Sequence, residues 1–65
     1  MKFNLFDEIK LKQKYEEVYS HFKGKIYIVL GDEQDTKPTA TDKILVRRKG
    51  SNRITWVDAN LFEKV

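Results

Sequence analysis

Histidine is the side chain most often used for proton transfer at neutral pH, and this 65-residue sequence holds one, His21. A general base needs a nucleophile or an orienting carboxylate within hydrogen-bond reach. Ser20 is adjacent, but if the stretch is a strand the two neighbours project to opposite faces and form no Ser-His pair. His21 therefore reads as exposed, or bonded to a neighbouring strand, rather than catalytic. The sequence has no cysteine, which removes thiol chemistry, disulfides and cysteine zinc sites. Asp32, Glu33, Asp35 and Asp42 cluster around one stretch, but a calcium loop needs regularly spaced oxygen ligands and a glycine at its sharp turn. After Glu33 and Asp35 the third ligand position falls on Lys37, with no glycine following, so the cluster reads as a solvated acidic loop. Paired carboxylates for glycoside chemistry need a cleft between them, which so short a chain has little room to build. Gly24, Gly31 and Gly50 fit neither a P-loop nor a dinucleotide fingerprint. The expectation is no catalytic residue, no cofactor and no metal.

Charge offers a more definite lead. Residues 43–57 carry five basic side chains, Lys43, Arg47, Arg48, Lys49 and Arg53, and no acid. The whole chain is only +3, so the remainder is net negative. A basic segment on such a body is a candidate polyanion contact. Tyr19, Tyr27 and Trp56 could add stacking surfaces for bases, or an aromatic groove for an extended peptide. Bland readings compete: basic side chains also protect a sheet edge from aggregation, and aromatics also fill cores.

The elements that must position these residues are mostly strands. KILVRR (43–48) and RITWV (53–57) flank Lys49-Gly50-Ser51-Asn52, which reads as a β-hairpin. Alternation puts Ile44 with Val46 and Ile54 with Trp56, and these four are expected in the core, while Arg47 and Arg48 project to opposite faces. KIYIVLG (25–31) is apolar on both faces, as in a strand covered on both. Asp58 can cap one helical turn, after which Leu61 and Phe62 fold back onto the sheet. GDEQDTKPTATD (31–42) has one apolar residue and the sole proline, and reads as a surface loop. At the front, Asn4 followed by Asp7 looks like a helix cap, and Leu5, Phe6 and Ile9 form a helical stripe. A helix over roughly residues 4–15, then a strand from near Glu17 that turns at Lys23-Gly24, is expected.

Two spaced patterns, Y-x-H-F-K-G-K-x-Y-x-V-L-G at Tyr19–Gly31 and W-V-x-x-x-x-F-E-x-V at Trp56–Val65, are similar to small bacterial and phage proteins of domain-of-unknown-function family 1653. The resemblance runs from about Glu17 onward and implies an SH3-like β-barrel, with no established activity and no assigned catalytic residue. This chain has Asp58-Ala59 where the family tends to have Arg-Pro, and Val46-Arg47 where it tends to have Val-Tyr.

Together these readings predict one domain over 1–65, mainly β. A helical lead-in (1–16) precedes an SH3-like barrel (17–65) of about five strands, with a one-turn helix near the C-terminus. No stretch approaches the ~18 apolar residues of a membrane span, and the charged N-terminus does not resemble a signal peptide, so a cytoplasmic location is expected. The expected function is a non-catalytic module that binds nucleic acid through the basic hairpin. The alternative is a protein-interaction module, such as a small phage-type regulator of a host protein, acting through surface aromatics or the front helix.

Overall fold

Runs rich in β-branched and aromatic residues form the three longer strands, short alternations of apolar and charged residues form the other two, and all five pair into one antiparallel sheet. The computed structural model describes residues 3–32 and 43–65. Its strands are β1 (Glu8–Leu11), β2 (Ile26–Asp32), β3 (Lys43–Arg48), β4 (Ile54–Asp58) and β5 (Phe62–Lys64), in the spatial order β4-β3-β2-β1-β5. Among the described residues β4 and β5 are the two edges, and the sheet is not closed into a barrel. Of the stretch 31–42 expected as a surface loop, Gly31 and Asp32 instead end β2, and residues 33–42, with most of the acids weighed as a calcium site, lie outside the described residues.

One face of the sheet carries the core. Ile9 and Leu11 of β1, Tyr27 and Val29 of β2, Ile44 and Val46 of β3, Val57 of β4 and Phe62 of β5 are all buried. Phe22, Tyr27 and Phe62 meet edge to face, with ring centroids 5.5 to 5.8 Å apart. That geometry lets the positive edge of one ring meet the negative face of the next. A bulge between Val29 and Gly31 shifts the β2–β3 register, so Asp32 rather than an odd-numbered residue stands opposite Ile44.

The pairing of β3 with β4 overturns half of the expected hairpin core. Ile44 pairs with Val57 and Val46 with Thr55, so Val57 packs inward. Ile54 and Trp56 face outward, 58% and 48% exposed. Alternation says which residues of one strand share a face. The connection sets which face of the next strand joins them, and one residue of slip exchanges the two sets. β2 is less enclosed than expected: Tyr27 and Val29 are buried, whereas Ile26, Ile28 and Leu30 on the reverse are half-buried.

The front of the chain holds no helix over 4–15. Asn4 and Asp7 do bond reciprocally, but around a turn: the Asp7 amide donates to the Asn4 carbonyl (3.1 Å) and the Asn4 amide to Asp7 Oδ2 (2.8 Å). Phe6 holds the left-handed φ of 68° that such a turn asks of its third residue. The chain then enters β1, with the Phe6 amide donating to the Val29 carbonyl and the Val29 amide to the Asp7 carbonyl. Nor does a strand run from near Glu17 to the turn at Lys23-Gly24. Gln13–Tyr15 and Ser20–Phe22 are single 3-10 turns, and together they present Tyr15, Tyr19 and Phe22 to the core. Gly24, at φ 74°, ends that segment and leads into β2.

The C-terminal end follows expectation closely. Ala59–Leu61 is one 3-10 turn whose Asn60 amide donates to Asp58 Oδ1 at 2.9 Å. Leu61 packs on the core and Phe62 is fully buried. No helix among the described residues is long and apolar enough to cross a membrane.

Candidate nucleic-acid interface

The basic side chains of 43–57 are divided by the sheet. In β3 the even-numbered residues face the core, so Arg48 lies on the same face as Val46, opposite Tyr27 of β2. On β4 the odd-numbered residues share that face, and the Arg48 amide donates to the Arg53 carbonyl at 3.0 Å, which brings Arg53 alongside. Lys43, Arg47 and Lys49 have the opposite parity. Arg47 Nη1 donates to the Ser51 carbonyl at 2.9 Å, and Lys49 Nζ pairs with Glu8 Oε1 at 3.0 Å. Lys43 starts β3, opposite Asp58 and at the far end of the strand from Arg48.

Beside Arg48 and Arg53 a pocket of about 440 Å³ opens at the margin of the core. Its walls are His21, Lys25, Tyr27, Arg48, Arg53, Ile54 and Thr55, with no acidic residue among them. Each wall has a traceable origin. Tyr27 is the second residue of β2 and Lys25 immediately precedes the strand. Thr55 is one alternation beyond Arg53, and Ile54, which has the outward parity, borders the pocket from the first position of β4. His21 belongs to the 3-10 turn Ser20–Phe22, its ring 4.0 Å from that of Phe22. Phe22 in turn packs on Tyr27 and Phe62, so the histidine ring is seated on the aromatic core. Lys25 Nζ donates to the His21 carbonyl at 2.6 Å, tying the lysine to the turn and leaving two of its three ammonium donors for other partners.

Burial pushes the Tyr27 phenol above its ordinary pKa, and the Arg48 guanidinium opposite pulls it partly back. Burial is the larger effect, so the phenol stays neutral at physiological pH and the pocket keeps the positive charge of Lys25, Arg48 and Arg53. A shallower depression over Lys12, Gln13, Lys14 and Glu63 mixes lysines with a carboxylate and has no such single-sign lining.

No family model, curated protein or solved structure matches this chain.

Of the residues singled out from sequence, the structure gathers Arg48, Arg53, Tyr27 and His21 into one place and leaves Lys43, Arg47, Lys49, Tyr19 and Trp56 apart. Tyr19 is half-buried, edge-on to Tyr15 with centroids 6.3 Å apart, and touches the pocket only through its 6.5 Å approach to the His21 ring. Trp56 stands on the reverse face. Ser20 and His21 share a turn rather than alternating along a strand. Lys25 and Thr55 were not singled out from sequence. Lys25 had a signal, because the stretch 25–31 reads as a strand in which residues two apart share a face, although β2 itself begins at Ile26.

Proposed function

We propose that the chain is a non-catalytic binding module for nucleic acid. The observation that carries this reading is the pocket in which Lys25, Arg48 and Arg53 surround Tyr27, with no acid among the described residues of its lining. Three cations kept free of carboxylates at the pocket wall favour a polyanion, because backbone phosphates dominate nucleic-acid affinity. The fold we read as an open SH3-like barrel, supported by the meander in which β1 pairs with both β2 and β5 and by a 3-10 turn entering the last strand. The similarity of residues 17–65 to domain-of-unknown-function family 1653 agrees with that reading and adds no activity. Fluorescence anisotropy with short single-stranded RNA and DNA tests it. Affinity falls roughly tenfold or more between about 50 and 200 mM salt if about three cations are engaged. It drops when Arg48, Lys49 and Arg53 together become alanine. Binding indifferent to both changes removes the reading.

A second reading, a protein-interaction module such as a phage-type regulator of a host protein, is favoured by the outward face. There Ile54 and Trp56 are 58% and 48% exposed. The helical version of that reading has no support, since no helix forms at the front of the chain. A partner retained through moderate salt and nuclease, and lost in Trp56→Ala, would favour this second reading over the first.

A further inference from the structure

The sequence offers five basic residues in 43–57, yet they do not form a track. A surface that follows a nucleic-acid backbone repeats its cations along a groove, one phosphate after another. Here Lys49 is engaged with Glu8, Arg47 with the Ser51 carbonyl on the reverse face, and Lys43 lies at the far end of β3. What remains on the core-bearing face is a single spot, Lys25, Arg48 and Arg53 around one pocket, with the His21 ring and Thr55 hydroxyl beside them. Concentrated positive charge of this kind favours one anion of high charge over several of low charge. An internal phosphodiester carries one negative charge, whereas a terminal phosphate carries about −1.5 to −2 at neutral pH. The pocket volume of about 440 Å³ exceeds what a phosphate group alone fills. His21 and Ile54 give it ring and aliphatic surface for the adjoining nucleoside.

We infer that this pocket binds the terminal phosphate of a nucleic-acid strand, with Lys25, Arg48 and Arg53 on the phosphate and His21 against the terminal nucleoside. The inference rests on the nucleic-acid reading and deepens it from backbone contact to recognition of strand ends. Arg48 and Arg53 supply planar donor forks suited to phosphate oxygens, and Lys25 supplies a point charge held in place by the His21 carbonyl.

The test is anisotropy with a short fluorescent oligothymidylate in three forms: 5′-phosphate, 3′-phosphate, and hydroxyl at both ends. One phosphorylated form is expected to bind about tenfold or more tightly than the hydroxyl form, and which one it is identifies the end recognised. Lys25→Ala and Arg53→Ala, both on exposed or half-exposed positions, should erase that preference, while Lys43→Ala keeps it. Inorganic phosphate should compete for the phosphorylated probe and shift the amides of Lys25 and Arg53. Equal binding of all three forms overturns end recognition and leaves the nucleic-acid reading standing. No binding of any form at low salt overturns both. A preference that survives both alanine variants places the phosphate elsewhere and overturns the site assignment.

Discussion

Tyr27 and Arg48 stand directly opposite each other across β2 and β3, on the face that carries the core, where a buried phenol meets the edge of a cationic pocket. The pair joins the two halves of the molecule's design. Tyr27 belongs to the edge-to-face cluster with Phe22 and Phe62, and Arg48 belongs to the pocket that this cluster supports.

That relationship has a consequence at alkaline pH. Burial raises the Tyr27 pKa and Arg48 only partly offsets it, so the folded state holds the phenolic proton more tightly than the unfolded chain does. Stability from this source is fully present below the unfolded phenol pKa of about 10 and is lost as pH rises through the higher folded value. Urea titrations from neutral to alkaline pH should show a smaller alkaline loss for Tyr27→Phe than for the parent protein. Arg48→Ala should show a larger one. Identical profiles for Tyr27→Phe and the parent would contradict the assignment.

Register in the β3–β4 hairpin makes a second prediction. Phe62→Ala removes a fully buried ring from the centre of the core and should cost about 3–5 kcal/mol, enough to unfold much of a domain this small. Ile54→Ala and Trp56→Ala, on the outward face, should each cost less than about 1 kcal/mol. Equilibrium denaturation decides it: a core-sized loss at Ile54 or Trp56 would mean β4 presents its other face.

The turn at Asn4–Asp7 makes a third. Phe6 is exposed yet holds a left-handed backbone, a conformation costing non-glycine residues roughly 1–2 kcal/mol. Phe6→Gly should leave stability unchanged or raise it by about 1 kcal/mol. Asp7→Ala should lower stability by about 1 kcal/mol, since it deletes the acceptor for the Asn4 amide and the partner 3.4 Å from Lys64 Nζ. Thermal melts of the two variants should move in opposite directions or, for Phe6→Gly, not move.

Much of the back half was legible in the sequence because its signals are local. Apolar alternation, Gly50 with its φ of 84°, and Asp58 as a cap each act within a few residues, and the hairpin and closing turn formed where expected. The front half misled for a physical reason. Apolar residues three or four apart serve a helix, but they equally serve a chain of 3-10 turns laid along a sheet, and the Asn4–Asp7 pairing suits a turn as well as a cap. Tertiary pairing chose between them, through the bonds that dock Phe6 and Asp7 on Val29. The candidate site was legible in residue type but not in assembly. Arg48, Arg53 and Tyr27 stood out, but only the register separates them from Arg47, Lys49 and Trp56, and only the fold brings His21 and Lys25 to them.

The most direct test of the central claim is an amide NMR titration of the labelled protein with a pool of short single-stranded RNA and DNA, first at low and then at moderate salt. We expect shifts clustered at His21, Lys25, Tyr27, Arg48, Arg53 and Thr55 that fade as salt rises, with Lys43 and Trp56 unaffected. A spectrum that stays silent, or shifts gathered on the outward face around Trp56 and indifferent to salt, would contradict nucleic-acid binding and turn attention to a protein partner.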